Sequence, residues 1–268
     1  SLRRAKELAL RVSCLSQTHN TGRAAMQHAG ERERLPLAGL QWGISSFTPA
    51  GLGDPSEHHY LYYTDSTNSD GTADVPRRRV APMVAQLGQY MGLSFRTDSR
   101  ESMEEDLGRD EVTRTFGCPA VSASERQEGK IVLGKYNGWR NPILEPSAYG
   151  FNEGILGHRG ASEHAVSDEA PAGQLDWINH TNETLLSLES KPWEGEDSLV
   201  FFDLGPRTSY WDYWQFARDT GYGTTVEFDR HAHHMNAVFA DGHSESLETG
   251  ESVDEPAIDV WEKIYVLH

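Results

Sequence analysis

The sequence predicts an α+β fold, a long N-terminal helix packed on an antiparallel sheet with large loop insertions. Three observations carry this. Residues 1–30 keep apolar side chains at helical spacing over many turns. The C-terminal third holds strand-like runs, one ending in a hairpin signature. Across the whole chain, 25 glycines and 12 prolines among 268 residues point to many turns and long loops.

In chain order, "SLRRAKELALRVSCLSQTHNTGRAAMQHAG" places Leu2, Ala5, Leu8, Ala9, Val12 and Leu15 on one face. Arg3, Arg4, Lys6, Glu7 and Arg11 occupy the other, and Gly30 is a stop signal. The apolar face is expected to pack on the sheet. Residues 36–80 read as loop-rich. Within them "TDSTNSDGTAD" (64–74) gathers Asp65, Asn68, Asp70 and Asp74. Asp65, Asn68 and Asp70 are candidate calcium ligands, but no Glu closes the loop, so an acidic solvated turn is the preferred reading. "VAPMVAQLGQYMGL" (80–93) predicts a short helix with Val84, Leu87 and Met91 on one face. "DSRESMEEDLGRDEV" (98–112) reads as charged and exposed, and "FGCPA" (116–120) as a buried Cys-Pro turn. "KIVLGKY" (130–136) and "SLVFFDLG" (198–205) have strand propensity, whereas "SAYGFNEGIL" (147–156) shows no clear period. "TSYWDYWQFARDTGYG" (208–223) is an aromatic cluster, read as core filling before a glycan platform. Finally, "MNAVFADGHSESL" (235–247) alternates and turns at Asp241-Gly242. The reading is therefore an N-terminal helix, 1–30, and a single globular unit, 31–268.

A net charge of −17 opposes nucleic-acid binding, and no basic patch offsets it. Acidic loops suit calcium as a cofactor. No apolar run reaches the length of a membrane span. No signal peptide is visible and the first residue is Ser1 rather than Met, so a trimmed or processed product is expected. Cys14 and Cys118 are the only cysteines. Without a CxxC pair, spacing excludes a thiolate zinc site. The two cysteines are a disulfide in an exported protein, or two buried thiols otherwise.

The densest chemistry lies in "DRHAHHMNAVFADGHSESL" (229–247), with His231, His233, His234 and His243 beside Asp229 and Asp241. Two readings compete. In one, His231 reaches the Asp241 turn and locks the hairpin. In the other, His231, Asp241 and His243 hold a transition metal. A hydrolase built here would use His231, His233 or His234 as base, with the aromatic cluster binding sugar. No GxSxG elbow, phosphate loop or HExxH helix is present.

The run "RHAHHMNAVFADGH" resembles the C-terminal signature of prepilin-type proteins of planctomycete- and verrucomicrobium-like bacteria, related to type II secretion pseudopilins. That signature is His, nine residues, then Asp-Gly. Arg230, His231, Asn236, Phe239, Ala240, Asp241, Gly242 and His243 match it. "RRAKELALRVSCLSQ", "LGQYMG", "FGCP", "SAYGFNEGIL" and "WINHTNETLLSLES" followed by "LVFFDLG" match other family landmarks in order, while "THN" after the first departs from the family's Asn-Leu-Lys-Gln. The resemblance implies a pilin-like fold and an extracytoplasmic location. It also implies a membrane half-helix before Ser1 and a Cys14–Cys118 disulfide. The implied function is a non-enzymatic subunit that contacts other pilin-like subunits or secretion machinery. The alternatives are a surface polysaccharide-binding or polysaccharide-degrading protein on the same fold, or a metal-dependent hydrolase.

Overall fold

A computed structural model describes residues 2–36, 61–67, 73–121, 148–152, 175–178, 180–182, 184–189, 201–202, 230–248, 250–252 and 255–256. Among these, helix α1 (Leu2–Arg32) is followed by an antiparallel hairpin, β1 (Tyr62–Thr67) and β2 (Ala73–Val80). Three short helices come next: α2 (Met83–Gly88), α3 (Arg100–Leu107) and α4 (Asp110–Phe116). The main sheet is built from β3 (Tyr149–Asn152), β4 (Leu185–Glu189), β5 (Phe201–Phe202), β6 (His234–Phe239) and β7 (Ser244–Glu248). Its order is β5-β3-β4-β6-β7; β3, β4, β6 and β7 pair antiparallel, and the edge strand β5 joins β3 in parallel. A last small hairpin joins β8 (Gly250–Ser252) to β9 (Glu255–Pro256). The architecture is thus a long N-terminal helix with a predominantly antiparallel sheet.

Helix α1 has two unlike halves. Leu2, Leu8 and Val12, read from the sequence as part of a packed apolar face, are 88%, 59% and 58% exposed. The buried face instead begins at Cys14 and continues through Thr18, Thr21, Gly22, Ala24, Ala25, His28 and Ala29. The reason is distance. Small side chains let the helix axis approach the sheet closely, and large apolar ones would hold it away. A Cβ on Gly22 would meet the Gly242 carbonyl and stand 2.9 Å from Val238 Cγ1. Thr18 and Thr21 satisfy their buried hydroxyls by donating to the carbonyls of Cys14 and Gln17, one turn back.

At the far end of α1, buried His28 donates through Nδ1 to the Arg34 carbonyl at 2.9 Å and meets Tyr90 edge-on. Burial pushes its pKa down to about 4, against a smaller raising effect of that hydrogen bond.

The core lies between α1, the central strands and the short helices. Every residue of α2 is buried, and Pro82 stands just ahead of its first turn, where a missing N–H costs nothing. The segment 98–112, expected to be exposed, forms α3 and the first residues of α4. It sends Met103, Leu107 and Val112 into the core while its charges stay outside. Ser99 caps α3 by accepting from the Ser102 N–H at 3.1 Å. Asp106 is the buried exception. Burial alone would raise its pKa, but the Arg96 guanidinium at 3.0 Å and the Arg96 backbone N–H outweigh that and lower it.

Two further expectations change. Residues 36–80, read as loop, contain β1 and β2; 147–156, without visible period, contain β3. Asp65 lies in β1, in register with Arg77, while Asn68 and Asp70 lie outside the described residues. So do 130–136, the aromatic cluster 208–223 and all of 198–205 except 201–202.

Candidate functional site

The signature segment straddles strand β6, and its two ends meet different partners. At the first end, Arg230 donates to the Ala148 carbonyl at 3.2 Å. The chain then turns through Ala232 (φ 52°) and His233 (φ 66°), two consecutive non-glycine residues in the left-handed region. This turn aims His231 inward, where it is 6% exposed, and leaves His233 at the surface. His234 opens β6, half-buried, with Nδ1 donating to the Ala232 carbonyl at 3.1 Å.

His231 contacts Glu189, the last residue of β4. Its Nε2–H donates to Glu189 Oε1 at 2.8 Å, and both side chains are almost fully buried. Asn236 supplies two more hydrogen bonds to the same carboxylate, from its backbone N–H to Oε2 at 2.9 Å and from Nδ2 to Oε1 at 3.2 Å. A buried carboxylate is costly unless its lone pairs are filled, and three donors fill them here. Tyr149 is opposite Glu189 in the β3–β4 register, so Tyr149, Glu189 and Asn236 form a row across three strands facing α1. The Tyr149 hydroxyl lies 3.4 Å from the Cys14 carbonyl and 3.3 Å from Gln17 Oε1. Burial, then the Glu189 charge, raises its pKa well above the usual phenol range.

Above this row sits a disulfide. Cys14 of α1 and Cys118, in the turn after α4, are joined with Cα atoms 5.3 Å apart and a sequence separation of 104. Cys118 Sγ lies 3.6 Å from His231 Nε2. One sulfur from the helix, one from the α4 turn, a carboxylate from β4 and an imidazole from the β6 entry therefore share one buried place.

The second end is the hairpin turn. Phe239 N–H donates to the His243 carbonyl and Gly242 N–H to the Phe239 carbonyl, both at 2.9 Å. The loop is thus three residues, Ala240 to Gly242, with glycine in the left-handed position (φ 86°) that such loops require. Asp241 Oδ1 accepts from the His243 N–H at 3.0 Å and from His243 Nδ1 at 2.6 Å, closing the turn on itself. The His243 ring stacks on Phe239 at 4.2 Å. Gly242 presses against α1, where a Cβ would strike Met26.

The structure does not bring His231 to the Asp241 turn. The two residues have different neighbours: His231 is buried against Glu189 beside Asn236, while Asp241 is exposed in the turn beyond the end of β6 and bonds to His243. The set His231, Asp241 and His243 is likewise divided, with only Asp241 and His243 in contact. His231, His233 and His234 do not converge as a catalytic group either, one being buried and the others directed to solvent or to their own turn.

Glu189 is the residue sequence reasoning passed over, although it sits inside the segment "WINHTNETLLSLES". Its signal was a carboxylate closing an apolar strand that is buried at every position.

The fold and this site define a mixed α and antiparallel-β domain whose N-terminal helix is cross-linked to its head through a buried polar centre. Comparison with protein-family models, curated proteins and solved structures returned no match. No described helix is long and apolar enough to cross a membrane.

Proposed function

We propose that this chain is a non-enzymatic, pilin-like subunit that assembles through the first turns of α1. The observation behind this reading is the division of that helix. From Cys14 onward it is held to the rest of the domain by the disulfide and the glycine contact. Its first twelve residues carry Leu2, Leu8 and Val12 in solvent. Apolar side chains left in solvent along the first turns of a helix offer a surface that a neighbouring helix or subunit would cover. The ordered resemblance of the sequence to prepilin-type proteins supports the same reading. So does the buried disulfide, a cross-link that persists outside the reducing cytoplasm. The partners would be other pilin-like subunits or secretion machinery, with a membrane anchor upstream of Ser1.

Photo-crosslinking tests the proposal. A photoreactive residue at Leu8 or Val12, in the intact chain in its own cells, is expected to give adducts with like subunits. The same residue at the exposed Glu248 should give few. Equal yields at both places, or none at the helix, would overturn it.

A further inference from the structure

The buried centre at the first end of β6 has the composition of a metal site. Cys14 Sγ, Cys118 Sγ, Glu189 carboxylate and His231 Nε2 all lie within 4.8 Å of one another, and all four residues are buried. Tetrahedral zinc with bonds of about 2.0 to 2.3 Å separates its ligand atoms by roughly 3.3 to 3.8 Å. The longest separations in the set would therefore shorten by up to about 1 Å, while the two sulfurs, bonded at about 2 Å in a disulfide, would part by roughly 1.7 Å once reduced. Two sulfurs, an imidazole and a carboxylate are a donor set for a borderline-soft divalent ion. The absence of a CxxC pair excluded thiolate zinc only on local spacing; here the fold supplies the proximity.

The surroundings favour such an ion. Asn236 holds both oxygens of Glu189 and so orients a ligand from behind, as outer-shell partners do. Its own Oδ1 is fully buried and has no hydrogen-bond partner among the described residues. Two thiolates and a carboxylate around a divalent cation leave one net negative charge. Arg230, which precedes His231 and donates to the Ala148 carbonyl next to Tyr149, brings a positive charge to the same neighbourhood.

We propose that these four residues form a redox-gated zinc site, in which metal replaces the disulfide as the link between α1 and the head. A dithiol reductant breaks the Cys14–Cys118 bond by thiol–disulfide exchange. It delivers two electrons and two protons and leaves as its own disulfide. The two thiols then lose their protons to solvent as zinc–sulfur bonds form. His231 presents Nε2 as a neutral imidazole with its hydrogen on Nδ1, and Glu189 turns one oxygen from His231 to the metal. In the reverse step a small-molecule disulfide is the oxidant. The two thiolates exchange with it, close the Cys14–Cys118 bond and pass it two electrons. It leaves as two thiols after taking two protons from solvent, and the ion is expelled. This proposal does not depend on the pilin-like reading.

Zinc and cobalt(II) titrations test it, on the reduced and the oxidised protein. Reduced protein is expected to bind about one equivalent of zinc. Its cobalt form should show thiolate charge-transfer absorption and the intense visible bands of a tetrahedral centre. Zinc should also raise the melting temperature of the reduced form and protect both cysteines from alkylation. The oxidised protein should bind none. Glu189→Gln and His231→Gln should weaken binding, Asn236→Ala should weaken it about 10- to 100-fold, and His234→Ala should leave it unchanged. Binding that is equal in both redox states, or insensitive to Glu189→Gln and His231→Gln, would overturn the proposal. So would a reduced chain that zinc neither binds nor refolds.

Discussion

The two ends of strand β6 hold the same helix by opposite means. At the His231 end the contact is polar, buried and covalent, with a disulfide above a carboxylate that takes three hydrogen bonds. At the Gly242 end it is a matter of shape, two glycines letting the turn and α1 touch where any side chain would intrude. The difference teaches that a short sequence signature can be two separate anchors. Its fixed spacing is then the length of the strand between them.

Breaking the first anchor should cost most. Cys14→Ser with Cys118→Ser opens a loop of 104 residues, for which chain entropy gives about 4 to 5 kcal/mol. Denaturant unfolding of the oxidised parent and the variant measures it. Next, Glu189→Ala strands the His231 N–H and the Asn236 N–H in the interior. It is expected to cost about 3 to 4 kcal/mol by the same measurement.

His28, beyond both anchors on α1, should give a pH signature of its own. Its pKa is about 4 folded and near the ordinary 6.5 unfolded, so the unfolded chain takes up the proton first as pH falls. Its contribution is complete above pH 6.5 and is lost on going down to 4, by about 3 kcal/mol. His28→Gln should flatten that part of the stability profile.

At the second anchor, Gly22→Ala forces α1 off the turn and is expected to cost about 1 to 3 kcal/mol without affecting the cysteines. A thermal melt and a thiol titration check both halves of that statement. The smallest effect belongs to Asp241→Ala, about 0.5 to 1 kcal/mol, because its two hydrogen bonds are exposed.

What the sequence made legible follows from how local each feature is. The long helix and the 235–247 hairpin declare themselves through period and turn chemistry over a few residues. The buried face of α1 did not. Apolar periodicity selects Leu2, Leu8 and Val12, whereas close approach to the sheet selects Gly22, Ala25 and Thr21. Glu189 was illegible for another reason. Its partner His231 is 42 residues away, and only the antiparallel register of β4 with β6 brings them side by side. The pairing of Cys14 with Cys118 came from family resemblance alone, because spacing left disulfide and free thiols equally open.

The central claim is that His231 works with Glu189 and not with Asp241. Two double-mutant cycles measured by denaturant unfolding test it directly, His231→Gln with Glu189→Gln and His231→Gln with Asp241→Asn. The first pair should couple by about 1 to 3 kcal/mol, and the second should add within about 0.5 kcal/mol. Coupling of His231 to Asp241 with none to Glu189 would contradict the account.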